Sequence, residues 1–405
     1  MGASLWRCSM TQGVVIIGGG ECGVSTAFSL RSSGFDGPIT ILNGETHLPY
    51  ERPPLSKGGA ASPKPIRNAA DYADAKIDLR HDVKVTEVDR DAKKVITSSG
   101  EALAYDKLVF ATGARSRVFD GLAECRTLRT WDDAAALDRK LHDGARIGII
   151  GGGFIGLELA ALARHRGASV TVLEANPWLM ARAVPTEIAK VVHQKHLEAG
   201  VTVQLGQGAT SVTDGVVRLV GGGVLEFDTV IAGVGAVPNT ELAAKCGLRV
   251  ENGICVDDGF RTSDPDVFAA GDCCRFSWRG QSVRLESWKA AQDQAQQVAA
   301  SILGEAVPYN KVPWFWSDQY DLTLQVAGIF DPARPVIKRK SDSGKTVVFQ
   351  CGLDGEIAAA AGIGVAGSTA NDIKVFEKLI ERGTRVDPMV LADPEQNLKR
   401  LLRAA

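Results

Sequence analysis

Two stretches of the chain share one hydrophobic pattern. Val14-Val15-Ile16-Ile17 is an unbroken apolar run that stops at Gly18-Gly19-Gly20-Glu21-Cys22-Gly23. Ile147-Gly148-Ile149-Ile150 stops in the same way at Gly151-Gly152-Gly153-Phe154-Ile155-Gly156. A short continuous apolar run predicts a strand buried on both faces. A helix-like run follows each motif, over residues 24–34 and 157–167, and then a second apolar strand over 38–42 and 168–173. These are β-α-β units with right-handed crossovers. The copies also close alike. Residues 103–114 align with 225–236, and in both a glycine-bearing turn (98–100; 221–223) feeds a buried strand that ends at glycine. The chain therefore holds two complete dinucleotide-binding units.

A lone G-x-G-x-x-G is weak evidence, but strand, turn and helix surround it here twice. The chemistry needs those glycines. Gly18 and Gly151 permit the tight turn, Gly20 and Gly153 let a pyrophosphate approach the backbone, and Gly23 and Gly156 let helix and strand pack closely. The helix N-termini supply free N–H groups and partial positive charge to the phosphates.

Between motif and closing strand the first copy is longer and carries Arg52-Pro53-Pro54-Leu55-Ser56-Lys57, a proline-rich segment with basic ends that suits a rigid loop. Farther on, an apolar strand ends in Gly271-Asp272. Asp at a strand end accepts bonds from sugar or ribityl hydroxyls, and serves equally as a helix N-cap. After Trp316 the pattern changes: 323–330, 346–351 and 357–363 read as strands, 371–382 and 394–403 as helices. This region has no nucleotide fingerprint. The fold class is α/β, with two Rossmann-like dinucleotide-binding domains and a C-terminal α+β domain.

Composition narrows the class. The chain has 405 residues, 45% hydrophobic and 23% charged, with net charge −2. That is ordinary for a globular protein of two or three domains, and nothing global points to nucleic acid or to a membrane surface. No stretch approaches the ~20 apolar residues that span a bilayer. The N-terminus has no long apolar region of a signal peptide, and Trp6 stands where a myristoylation motif needs Ser or Thr. Residues 1–12 read as a loose tail. The eight cysteines form no C-x-x-C and no Cys/His cluster, so no metal site is expected and reduced thiols in the cytoplasm are.

The motifs resemble those of the FAD-dependent, NADH-linked ferredoxin reductases of bacterial oxygenase systems, a family that includes the reductases of aromatic-ring dioxygenases. The resemblance rests on the two glycine motifs, the 52–57 loop, Ala111-Thr112-Gly113, Leu157-Glu158, Gly271-Asp272, Glu286-Ser287-Trp288-Lys289, and Pro313-Trp314-Phe315-Trp316-Ser317-Asp318-Gln319. It implies a discontinuous FAD domain (1–115 and 240–312), an inserted NAD domain (116–239) and a C-terminal domain (313–405). It implies FAD contacts from Gly18, Gly20, Glu21, Cys22, Gly23, Glu45, Arg52, Lys57, Val83, Ala111, Thr112, Gly113, Arg129, Gly271, Asp272, Glu286, Ser287, Trp288 and Trp316. NAD would be met by Gly151, Gly153, Phe154, Ile155, Gly156, Glu158, Glu174, Arg182 and Gly235. Lys57, Glu158 and Trp316 take the catalytic positions, with Glu158 facing Lys57 across the flavin–nicotinamide junction. For Trp316 a core aromatic, and for Glu158 a carboxylate stabilised by the helix dipole, are structural alternatives.

Glu174 ends the second strand of the NAD unit, about 20 residues after its glycine motif, where a carboxylate binds ribose hydroxyls and repels a 2′-phosphate. It predicts NADH over NADPH; Arg182 nearby weighs the other way. In the first unit Asn43 ends the corresponding strand and Glu45 follows. Relatives that use a redox disulfide carry C-x-x-x-x-C after the first motif and a late histidine. Here that helix has no second cysteine and the last histidine is His196, which excludes a dithiol relay. The expected task is hydride transfer from NADH to FAD and release of single electrons to a [2Fe–2S] ferredoxin feeding a Rieske dioxygenase or a cytochrome P450. Arg115, Arg117, Lys338, Arg339 and Lys340 are candidates to meet an acidic carrier. The alternatives are an NADH oxidase or peroxidase using Cys22, and a rubredoxin reductase. A monomer or homodimer in the cytoplasm is expected.

Overall fold

The computed structural model describes residues 12–58, 62–305, 308–339 and 344–404. The tail read at residues 1–12 and the candidate Lys340 thus fall, except for Gln12, outside the described residues. The chain forms two compact units. One comprises Met1–Glu51, Lys64–Arg115 and Val237–Asn310, and the other Arg52–Pro63, Ser116–Ala236 and Lys311–Ala405.

In the first unit, five parallel strands stand in the order Val267–Ala269, Lys107–Phe110, Val14–Ile17, Ile39–Leu42, Ile77–Arg80. Val14, Val15, Ile16 and Ile17 are all buried, as a strand with partners on both edges and cover on both faces requires. The helix Glu21–Ser32 follows, with an acidic residue in its first turn and a basic one in its last. Arg31 secures its C-terminal end by donating to the carbonyls of Phe35, Gly37, Ala75 and Lys76.

The second unit repeats the plan, with parallel strands in the order Thr202–Leu205, Ser169–Glu174, Arg146–Ile150, Thr229–Ala232 and the helix Phe154–His165. Both helices begin three residues earlier than the apolar pattern suggested. The second glycine of each motif is the N-cap, and the third lies inside the first turn. Glycine is a poor helix former, so the motif hides the helix start.

The repeat extends further than its closing strands. Each unit carries a three-stranded antiparallel meander before the closing strand: Val85–Asp89, Lys94–Thr97 and Ala102–Ala104 in the first, Ala209–Thr213, Val216–Leu219 and Val224–Glu226 in the second. The turns expected at 98–100 and 221–223 are hairpin bends of these meanders.

The C-terminal part is a five-stranded antiparallel sheet in the order Trp314–Gln319, Leu322–Gly328, Ile357–Val365, Thr346–Cys351, Ile337–Arg339, covered by the helix Ala370–Glu381. The two outer strands escaped the sequence reading because aromatic and charged residues fill them. The last helix is Leu398–Ala404 rather than 394–403, and a short helix, Pro388–Ala392, precedes it. Leu324, Val326 and Ile363 of this sheet join one hydrophobic core with Ile188, Val192 and Leu159. Among the described residues no helix is long and apolar enough to cross a membrane.

Candidate functional site

Each unit builds its own glycine cradle. In the first, Gly18 has φ +118°, and a Cβ there would meet the Ala111 carbonyl oxygen at 2.2 Å. Gly20 is the helix N-cap, with no side-chain cap and open space where a Cβ would stand. The first-turn N–H groups therefore face outward without intrahelical partners. This room and these donors fit a pyrophosphate.

The rim of that cradle is fixed by several of the expected residues. Ala111 N donates to Ile17 O, and Thr112 and Gly113 are locked to Asn239 by three hydrogen bonds of 2.6–2.9 Å. Asn239 had no motif to reveal it. Gly271, at φ +80°, abuts Cys22, and its N–H donates to the buried Gln294 at 2.7 Å. Asp272 lies inside the short turn Gly271–Cys273, whose N-cap is Ala270, so Asp272 is not a helix cap. Asn43 is buried beside Gly19, its backbone carbonyl accepts from Val83 N, and its amide donates to the carbonyls of Glu45 and His47. The Tyr50 hydroxyl holds the Glu45 carboxylate.

Ser287 caps the helix Trp288–Ile302, and exposed Glu286 pairs with Arg284. The Trp288 indole N–H donates to Glu21 at 2.9 Å, and Gln292 donates to the other oxygen at 2.8 Å. Burial pushes the Cys22 thiol well up from its ordinary pKa, so it stays protonated and a poor nucleophile.

The second cradle matches the first. Gly151 has φ +105°, Gly153 is the uncapped N-cap, and a Cβ there would have the Gly233 carbonyl as its only neighbour, at 3.8 Å. Glu174 is 7% exposed and accepts from Gly152 N–H at 2.7 Å, Asn176 N–H at 2.7 Å and the Asn176 side chain at 2.6 Å. A carboxylate has about four acceptor sites, which leaves one on Oε2 for a ribose hydroxyl. Exposed Arg182 lies beside Gly235, which has φ +111°. Phe154 packs edge-on against Phe315, and Ile155 is exposed.

The same unit gathers charge around Glu158, one turn into the Phe154–His165 helix. Glu158 is 4% exposed and pairs with Lys57 at 2.9 Å. Ser56 and Ser317 donate to its two oxygens, Ser317 at 2.6 Å. The pair is thus in direct contact, within one cluster. The 52–57 loop delivers Ser56 and Lys57 because Pro53–Lys57 is a 3-10 turn closed by Gly58 at φ +90°. Arg52 donates to the Arg129 carbonyl at 2.5 Å. On the strand Trp314–Gln319, alternation sends Ser317 toward Glu158 and Trp316 to the other face. There Trp316 stacks on Trp314 at 5.6 Å and donates to Asp318. It is half-buried, not a core aromatic.

The carrier candidates divide. Arg339 is buried and donates to the carbonyls of Leu391, Asp393, Pro394 and Gln396, so it holds the C-terminal turn and is not a docking residue. Exposed Arg115 pairs with Glu241 at 2.7 Å, Arg117 donates to the Ala236 carbonyl, and Lys338 is exposed.

Comparison with known proteins places these features. The pyridine nucleotide-disulphide oxidoreductase family model matches residues 12–295, and a reductase C-terminal model matches residues 314–402. The ferredoxin–NAD(+) reductase component of the anthranilate 1,2-dioxygenase system of Burkholderia cepacia is 39% identical, over 96% of this chain and 98% of its own. Putidaredoxin reductase of Pseudomonas putida is 37% identical over 97% of both. The crystal structure of a covalent putidaredoxin reductase–putidaredoxin complex superposes with TM-score 0.91 at 35% identity, covering 97% of this chain and 99% of that one.

Proposed function

This chain belongs to the pyridine nucleotide-disulphide oxidoreductase family, and from that premise we propose that it is the NADH-dependent reductase of a [2Fe–2S] ferredoxin that feeds an oxygenase. It is a flavoprotein that uses FAD and NADH. The observation that carries this reading is the pair of uncapped glycine cradles, each with room for a pyrophosphate.

Bound FAD supplies the ability to take two electrons together and release them singly. The first unit would hold it through Gly18, Gly20, Gly23, the Ala111–Gly113 turn and Asp272. The second would hold the nicotinamide nucleotide through Gly151, Gly153 and Gly156, with Glu174 accepting a ribose hydroxyl. We assign Lys57 and Glu158 to the reacting end of that nucleotide, where a fixed ion pair orients the ring. Trp316 we assign to the exit of electrons toward the carrier. The domain division 1–115 with 240–312, 116–239 and 313–405 is retained as the functional one, and the enzyme is placed in the cytoplasm.

Relatives named for a disulfide need a cysteine pair beside the cofactor; here the helix Glu21–Ser32 holds Cys22 alone, and that thiol is free and buried. The same burial argues against a peroxidase, which needs a thiolate. The test is turnover. Purified holoprotein should reduce cytochrome c with NADH when a [2Fe–2S] ferredoxin is present and slowly without it. Rapid carrier-independent oxygen consumption overturns the reading in favour of an oxidase, and a strong preference for rubredoxin overturns the assigned carrier.

A further inference from the structure

We propose that Tyr320, His196, Gln319 and Ser317 form a one-way hydrogen-bond chain that positions the Glu158 carboxylate. This rests on the role assigned to Glu158 above. The Ser317 hydroxyl donates to Glu158 Oε1 at 2.6 Å, and the Gln319 amide donates to Ser317 Oγ at 3.2 Å. His196 Nε2 lies 2.8 Å from Gln319 Oε1, and the Tyr320 hydroxyl lies 3.2 Å from His196 Nδ1.

The directions follow from valence. Once the Gln319 amide nitrogen faces Ser317, its oxygen must accept, so His196 carries its proton on Nε2. Nδ1 is then an acceptor, and among the described residues only the Tyr320 hydroxyl is in place to donate to it. Every donor in the chain thus points toward the negative charge of Glu158. Aligned donors polarise one another in a low-dielectric interior. Glu158, Ser317, Gln319 and His196 are 4%, 1%, 4% and 0% exposed.

The surroundings keep the ring neutral. Burial pushes the His196 pKa down, against the opposing pull of the Gln319 acceptor and with His193 adding a repulsive charge, and burial pushes the Tyr320 hydroxyl up to about 12. Lys195 is diverted to Asp321 at 2.6 Å. A primary amide does not relay protons readily, so Gln319 makes the chain a dipolar brace and not a proton path. The residues come from two elements, the helix Thr186–Glu198 and the strand Trp314–Gln319 with the turn after it. They hold the carboxylate by Oε1, whereas Lys57 and Ser56 hold Oε2.

A double-mutant cycle on the FAD-loaded protein tests this. The bleaching of flavin absorbance by NADH is followed by stopped flow, giving the limiting rate and the apparent Kd for NADH. Gln319→Leu should lower the limiting rate about tenfold, the loss of about one neutral hydrogen bond's stabilisation, and leave Kd nearly unchanged. In the Glu158→Gln background Gln319→Leu should change nothing further, because the charge served by the chain is gone. Equal effects in both backgrounds, or no effect on the wild-type rate, overturn the brace. If Gln319→Leu loses its flavin, Tyr320→Phe at the outer end decides in the same cycle, with a smaller rate loss expected in the wild-type background alone. A Glu158→Gln protein that reacts at the wild-type rate removes instead the role assigned to Glu158, which the cycle reads separately.

Discussion

A Cβ placed on Gly156 would stand 2.3 Å from the carbonyl oxygen of Gly151, and its counterpart on Gly23 would stand 2.0 Å from that of Gly18. In each cradle the third glycine lets the helix close over the first. Both contacts are to backbone, which cannot swing aside as a side chain would. Gly156→Ala is therefore expected to push the helix start away from the turn, at a cost of about 1–3 kcal/mol. Its phosphate-facing N–H groups move with it. The expected outcome is a higher Kd for NADH with flavin content unchanged, read by titration and by absorbance. Simultaneous loss of flavin would show that the two cradles do not act separately.

Lys57 and Glu158 make a second test. Lys57 is 26% exposed and Glu158 4%. Lys57→Met leaves a buried carboxylate with, among the described residues, only Ser56 and Ser317 as donors. Orphaning one member of a buried pair costs about 3–5 kcal/mol; the two remaining hydroxyls and the partial exposure of Lys57 place this one near the lower end. The urea midpoint should fall accordingly, and the limiting rate of flavin reduction should fall too. A variant as stable as wild type would mean that the serines alone satisfy the carboxylate.

How much of this was open to sequence reading depends on the scale of the signal. The β-α-β units and their closing strands follow from apolar runs punctuated by glycine, because a doubly covered strand can contain little else, whereas the half-exposed edge strands Ile77–Arg80 and Thr202–Leu205 carry no such run. The meanders were seen only as their turns, since half-exposed three- to five-residue strands carry no distinct run. The same holds for Trp314–Gln319, a strand concealed by aromatic residues. At the site, Lys57 and Glu158 come from motifs 101 residues apart, and the family resemblance, not spacing or periodicity, set them facing each other. Ser56 stands inside the 52–57 loop and Ser317 inside the 313–319 segment, but both serve through their hydroxyls, which spacing does not reveal. Asn239 and Gln294 lie in no motif at all, because a single side chain gripping a backbone group leaves no periodic trace.

We assign to Glu174 the choice between nicotinamide nucleotides. Three of its acceptor sites already tie Gly152 and Asn176, so the carboxylate is fixed where an adenosine ribose would bind. A 2′-phosphate would place like charge against it. Glu174→Ala should cut the ratio of kcat/KM for NADH over NADPH by about tenfold or more, mainly by losing NADH affinity, a change of about 1.4 kcal/mol. Arg182 lies beside Gly235 in the same unit, and Glu174→Ala with Arg182 intact should gain NADPH activity. Equal preference in wild type and variant would remove Glu174 from that role.

His196 links stability to pH. Burial lowers its pKa from the ordinary 6.5. The unfolded chain therefore binds a proton near pH 6.5 that the native chain still refuses. Between those two pKa values the unfolded state holds more protons, so stability rises with pH. The contribution of neutral His196 is complete above about pH 6.5 and is lost progressively as pH falls below it, until the native imidazole itself protonates. Around the ring burial is the largest influence and lowers the pKa, the acceptor Gln319 Oε1 on Nε2 opposes it, and the charge of His193 lowers it further, while Tyr320 donates to Nδ1 and Lys195 is held by Asp321. His196→Asn removes this titration. Other acidic groups titrate equally in both proteins and cancel in the comparison. Urea midpoints measured at pH 7.5, 6.5 and 5.5 should fall more steeply for wild type than for His196→Asn, with the curves drawing together at the acid end. Parallel curves would mean that the native ring accepts its proton as readily as the unfolded one.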